Sequence, residues 1–336
     1  MIPFDQDRDC MEAAKLIESW DDVLVVCHAN PDGDALGSML GLVRGLRSMG
    51  KRAGWYCADP VPGKFAYLVE NLPELDFTPA HVLTVDVADQ KLLGDAWEKF
   101  GDKIELAIDH HGTHKPFAPA RWVCGEYAAT AEMIWCLLDM MGYNPQKAHP
   151  SQEDLKTAQC IYTGVATDTG CFLFQNTTWF SHMVAASIQR IGVDVSEINR
   201  GLFETKSLAY FQAERRMLEG MELFGGGKAA MALLPQSLYA ETGAREDEVD
   251  AAVGQLRQIE GVLVGVSIKE KPSGEIKASL RTNPPANASA IAQRFGGGGH
   301  AGAAGCTLDG MDMAQARLAM MRACEDYLAE LEEANG

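Results

Sequence analysis

The chain has 336 residues, 47% of them apolar and 23% charged, a balance that suits two globular domains, each with its own core. A net charge of −18 argues against a protein that tracks a long duplex, since that affinity rests on many basic contacts to phosphate. No uninterrupted apolar stretch reaches the roughly 18 residues of a membrane span, and the acidic opening lacks the basic start of a secretion signal, so a cytoplasmic location is expected.

The N-terminal half alternates strand-like and helix-like runs, which predicts an α/β fold with a parallel sheet and helices on its faces. Asp22 to Cys27 is a short β-branched run. Asp34 to Met49 carries Leu36, Met39, Leu40, Val43 and Leu46 at helical spacing, and Gly50 closes it. Lys51 to Cys57, Val82 to Asp86 and Ile104 to His110 read as further strands. Ala128 to Met141 and Glu153 to Val165 read as helices, and Ser181 to Met221 as more polar helical stretches. Gly225-Gly226-Gly227 marks the clearest break.

A smaller α/β region follows. Lys228 to Leu234, Val262 to Lys269 and Glu275 to Leu280 are its predicted strands, with a turn at Pro272-Ser273-Gly274. A short helix, Ala288 to Phe295, precedes Gly296 to Gly299 and His300, and Met313 to Glu332 is a terminal helix. The expected layout is a first domain at 1–185, a helical linker at 186–224 and a second domain at 225–336. Between Gly265 and Gly305 five basic residues face two acidic ones, a local excess that suits a small anionic ligand. Nine scattered cysteines without a C-x-x-C pair argue against a disulfide framework and a zinc ribbon.

Four clusters of carboxylate and imidazole carry the chemistry. They are His28-Ala29-Asn30-Pro31-Asp32-Gly33-Asp34, then Asp86, then Asp109-His110-His111, then Asp168. Each follows an apolar segment, so all four can meet at one rim. Oxygen and imidazole donors without thiolate suit Mn²⁺ or Mg²⁺, and their number fits two ions sharing a carboxylate. Such a pair can activate water and stabilise a phosphoryl centre. Asp32 and Asp34 point different ways in an extended loop, and Asp34 is also placed to cap the helix that follows. Asp86, ending a buried strand, is the natural bridging ligand. His110 is assigned to metal, His111 to a phosphate oxygen or the leaving group, and Asp109 to orienting a ring. In the second domain, Arg281 is the candidate clamp on a terminal phosphate, and Gly298, Gly299 and His300 form a candidate phosphate cradle.

This pattern resembles the DHH phosphoesterase superfamily, named for the triplet seen here at Asp109-His110-His111. Ser279-Leu280-Arg281 and the four glycines before His300 resemble its DHH-associated C-terminal domain. The compact layout is similar to the nanoRNase/pAp phosphatase group. That resemblance implies an active site in the cleft between two domains and hydrolysis of short oligoribonucleotides to nucleoside 5′-monophosphates. It also implies conversion of pAp to AMP and phosphate. It implies two Mn²⁺ ions (Mg²⁺ or Co²⁺ as substitutes), one on His28, Asp32 and Asp86, the other on Asp34, Asp86, His110 and Asp168. The implied partners are short RNA and nucleotide bisphosphates, with no membrane and with a homodimer left open. His114 stands where relatives often carry Asn, and Thr282 where Ser is common. A family II inorganic pyrophosphatase, which resembles the same N-terminal motifs, and a non-catalytic nucleotide-binding regulator are the alternatives.

Overall fold

Four consecutive apolar residues leave a strand no polar side to show to water, so Val23 to Val26 must lie inside a sheet. The computed structural model, which describes residues 10–143, 149–249 and 253–335, has β1 (Val23–Val26) between two parallel neighbours, β2 (Ala53–Tyr56) and β3 (His81–Val85). β4 (Ile104–Asp109) and β5 (Ala120–Val123) complete a parallel sheet in the order β2-β1-β3-β4-β5. In chain order the helices of this unit are α1 (Cys10–Glu18), α2 (Gly33–Ser48), α3 (Asp95–Phe100), α4 (Thr130–Met140), α5 (Gln152–Asp168), α6 (Trp179–Arg190) and α7 (Val195–Asn199). Val23 and Val25 enter the larger core, built with α1, α2, α4 and α5. Leu24 and Val26 face the smaller core, which takes Ala96 from α3. The strand order reverses at β1 and β3, and in open parallel sheets the crevice beyond the carboxyl ends at such a point is where ligands bind.

Glycine spacing sets how closely the helices approach that rim. Gly33, Gly37, Gly41 and Gly45 recur every four residues on α2. A Cβ at Gly37 would stand 2.4 Å from the Cys160 carbonyl oxygen and 2.8 Å from the Gly164 nitrogen of α5. At Gly33 it would meet Thr167, at Gly41 Ile161, and at Gly45 Leu138. Glycines cost a helix about 1 kcal/mol each, so tertiary packing rather than propensity holds α2.

The chain divides into two compact units between Thr205 and Lys206. Residues 186–224, expected as a linker, are shared between them: α7 belongs to the first, and α8 (Leu208–Glu219) packs Tyr210, Ala213 and Met217 into the second. The second unit holds a six-stranded mixed sheet, β10-β11-β9-β8-β7-β6. Its strands are β6 (Glu222–Phe224), β7 (Ala229–Leu234), β8 (Val264–Glu270), β9 (Ile276–Thr282), β10 (Gly298–Gly299) and β11 (Ala303–Thr307). Gly225–Gly227, predicted as the break between regions, is a turn between β6 and β7. β7 and β8 run parallel, and the other pairs are antiparallel. Helices α9 (Gln236–Thr242), α10 (Glu246–Val249) and α11 (Val253–Leu256) follow β7, while α12 (Ala288–Gln293) and α13 (Met313–Asn335) cover the opposite face.

The structure revises two local expectations. The α2 cap is Asp32, whose Oδ1 accepts from the Asp34 and Ala35 nitrogens, because only the residue before the first turn can reach those donors. Gly298 and Gly299 form a short edge strand rather than an open loop. At Gly299 the close approach is to β11, where a Cβ would stand 2.5 Å from the Ala303 carbonyl oxygen, while Gly298 has open space around it.

Candidate active site

Parallel strands end at one rim, and there the first three clusters meet. His28 follows β1, Asp86 follows β3, Asp109 ends β4, and Asp168 arrives as the last residue of α5. Asp86 takes a left-handed backbone, φ +59°, which non-glycine residues adopt sparingly, and its N–H donates to the Ile108 carbonyl. This turn keeps the carboxylate at the strand tip while leaving it only 2% exposed.

The donor atoms gather in three overlapping groups: His28, Asp32 and Asp86; Asp34, His110 and Asp168; and Asp86, His110 and His111. Asp86 belongs to both sides. Its Oδ2 lies 3.6 Å from His28 Nε2 and its Oδ1 lies 3.8 Å from His110 Nε2. His28 Nε2 is 3.8 Å from Asp32 Oδ1, and His110 Nε2 is 3.3 Å from Asp168 Oδ2 and 3.9 Å from Asp34 Oδ2. Two donors on one ion with bonds of about 2.1 Å stand roughly 3 Å apart, so these spacings need only small adjustments.

The imidazoles face inward in the right tautomer. His28 Nδ1 lies 2.7 Å from the Ala29 carbonyl oxygen and His110 Nδ1 lies 3.2 Å from that of Tyr127. A carbonyl only accepts, so each Nδ1 is a donor, and Nε2 is left as the ring atom that faces the carboxylates, where a metal would bind. The electrostatics ask for a cation. Burial, then the charges of Asp86 and Asp168, push Asp34 well above the usual carboxylate range, and burial with Asp86 and Asp32 does the same to Asp168. Burial would raise Asp86 too, but His28, His110 and His111 hold it below its ordinary value. Burial likewise opposes charge on His28, yet Asp86 and Asp32 raise it to about 10. Carboxylates this crowded and buried fit divalent ions, and the hard oxygen and imidazole donors suit that class.

Comparison with known proteins bears on what such a site does. Residues 22–165 match the family model "DHH family, N-terminal domain", and residues 228–330 match "DHHA1 domain". Over 94% of its length the chain is 34% identical to the bifunctional oligoribonuclease and PAP phosphatase NrnA of Thermus thermophilus, covering 93% of that protein. The chain belongs to the DHH phosphoesterase family. A second DHH relative, the Bacillus subtilis protein of the same name, is 28% identical over 94% of this chain and 99% of its own. An exopolyphosphatase-related protein from Bacteroides fragilis has the same fold, with a TM-score of 0.86, 23% identity, and coverage of 96% of this chain and 97% of the other.

Within the DHH unit, sequence reasoning missed the N-terminus of α4. Thr130 and Ala131 donate their N–H groups to Asp34 at 2.7 and 2.9 Å, so Asp34 caps α4 rather than α2. Thr130 Oγ1 donates to Asp86 Oδ1 at 3.0 Å. Gly164 makes room for the pairing of Asp34 with Ala131, since a Cβ there would stand 2.7 Å from Asp34 Oδ1. A helix start preceded by Ala129 gives no side-chain capping signal in the sequence, which is why the pairing was invisible. Thr130→Ala is expected to weaken divalent-ion affinity by about tenfold, as removal of a group that orients a ligand does; metal titration of the stripped protein checks this.

The triplet separates into distinct roles. Asp109, fully buried, accepts from His111 Nδ1 at 2.7 Å and from His114 Nδ1 at 2.8 Å. Burial would raise the Asp109 carboxyl, but these two rings hold it far below the usual range. Burial opposes charge on His111 as well, yet Asp109 and Asp86 raise it to about 9. In the DHHA1 unit, Arg281 on β9 pairs with Ala303 of β11, and Thr282 Oγ1 donates to the Ala301 carbonyl at 2.6 Å. The unit thus brings Arg281 close to the turn that His300 opens. No described helix is long and apolar enough to cross a membrane.

Proposed function

We propose that the protein is a two-metal phosphoesterase that hydrolyses short oligoribonucleotides to nucleoside 5′-monophosphates and removes phosphate from pAp. The Asp86 carboxylate carries this reading, because its two oxygens address two separate donor groups, as a bridging ligand must. The names of the Thermus and Bacillus relatives, both oligoribonuclease and PAP phosphatase, support the substrate class.

His28, Asp32 and Asp86 would hold one ion, and Asp34, Asp86, His110 and Asp168 the other, with Mn²⁺ the working metal. When bound, the ions supply an acidified water and charge stabilisation at phosphorus. With Nδ1 on Asp109, His111 would offer Nε2 to the leaving oxygen or to a phosphate oxygen. Arg281, Gly298, Gly299 and His300 would bind a phosphate of the substrate. None of the nine cysteines is in a disulfide, which suits a reducing cytoplasm.

The test is hydrolysis by the Mn²⁺-loaded protein of a 5′-phosphorylated diadenylate, pAp, a 24-mer RNA and pyrophosphate. The expected result is release of AMP from the first two at rates far above that from the 24-mer. Activity confined to pyrophosphate would replace this reading with that of a family II pyrophosphatase.

A further inference from the structure

His114 is the histidine of the triplet's loop for which the proposed chemistry has no use. Its side chain is only 4% exposed. Nδ1 lies 2.8 Å from Asp109 Oδ2, while Nε2 is buried without a hydrogen-bond partner among the described residues. The ring packs against Phe117, whose own ring meets Trp97 edge-on. A buried nitrogen left unpaired costs free energy, so packing alone would favour an apolar side chain here. What the imidazole adds is its one donor to Asp109.

That donor completes a clamp. The other oxygen of Asp109 is already engaged, by His111 Nδ1 at 2.7 Å and by the His111 backbone N–H at 3.2 Å. A carboxylate turns about one terminal torsion whose well is broad, so a single hydrogen-bonded oxygen leaves its plane poorly defined. Two imidazoles on opposite oxygens fix the plane, and the plane fixes where the His111 ring points. His114 also donates its backbone N–H to the His111 carbonyl at 3.1 Å, which closes the turn holding both rings on the same carboxylate.

We infer that His114 is a positioning residue that acts on His111 through Asp109, setting the rate of the chemical step without touching metal or substrate. The inference rests on the reading of His111 as the group that meets the substrate.

The test compares wild type, His111→Ala, His114→Ala, His114→Asn and the double alanine variant, as full-length Mn²⁺-loaded protein on the 5′-phosphorylated diadenylate. His114→Ala is expected to lower kcat by about 10- to 100-fold, with KM and Mn²⁺ affinity within about twofold of wild type. His114→Asn keeps an N–H donor at a similar distance from the backbone and should recover most of the rate. The double variant should be no slower than His111→Ala, because both substitutions remove one function. If His114→Ala does not fold, His114→Leu fills the volume without a donor and takes its place beside His114→Asn. Wild-type kcat in the donorless variant, an equally slow His114→Asn, or multiplying losses in the double variant would overturn the inference. A wild type without turnover would remove the functional reading and this inference together. An active wild type with an unimpaired His111→Ala would remove only the His111 role and the inference built on it.

Discussion

Replacing Asp86 with alanine is expected to lower turnover of the dinucleotide by at least about 1,000-fold, the equivalent of roughly 4 kcal/mol of transition-state stabilisation. The size follows from its position. Among the described residues, Asp86 is the carboxylate whose two oxygens face both His28 and His110, so its removal weakens two metal positions in one step. It also strands Thr130 Oγ1, whose hydrogen bond to Oδ1 is buried. Asp89, three residues on, supplies the control. It caps the short turn Gln90–Leu93 and pairs with Lys115, so Asp89→Asn should leave turnover within about twofold of wild type. A loss in Asp86→Ala of less than about tenfold, with wild-type thermal stability, would mean that the carboxylate does not bridge.

The second large effect is on folding. Gly37→Val is expected to destabilise the first unit by about 3 kcal/mol or more, out of the roughly 5–15 kcal/mol that typical domains possess. A side chain at this position meets the Cys160 carbonyl oxygen and the Gly164 nitrogen, which are backbone atoms of α5 and cannot rotate aside. Gly50, by contrast, ends α2 at φ +82° with open space around it, so Gly50→Ala costs only the strain of its left-handed backbone. Denaturant midpoints of the two variants measure the difference. A Gly37→Val protein as stable as Gly50→Ala would show that α2 and α5 can separate, contrary to the packing described. Since α2 begins beside Asp32 and Asp34 and α5 ends at Asp168, such separation would also pull metal ligands apart.

The strand ends were legible because burial leaves a strong trace. Val23 to Val26, Val82 to Val85 and Ile104 to Ile108 are largely apolar, broken only by Thr84 and Glu105, and the charged or imidazole residue just beyond each stands out. His28, Asp86 and Asp109 were therefore found where the parallel sheet delivers them. The pairing of elements was less visible, for a physical reason. The glycines of α2 read as weak helix formers until α5 is placed against them, and Gly164 has no meaning without Asp34 beside it. Asp34, a candidate metal ligand, is also placed by the sequence to cap its own helix. It caps α4 almost a hundred residues away, a partnership that no local pattern encodes. β5 was missed because Ala120 to Val123 is short and carries Arg121 in its middle. Of the glycines before His300, Gly297 and Gly299 are closely approached by the backbone of β11, whereas Gly296 and Gly298 have open space around them.

The most direct test of the account is AMP release from 5′-phosphorylated diadenylate by metal-stripped protein, before and after addition of Mn²⁺. The account predicts negligible turnover without metal and restoration by Mn²⁺ in wild type but not in Asp86→Ala. Equal turnover with and without metal, or restoration by Mn²⁺ in the Asp86 variant, would contradict a catalytic centre built on that bridging carboxylate.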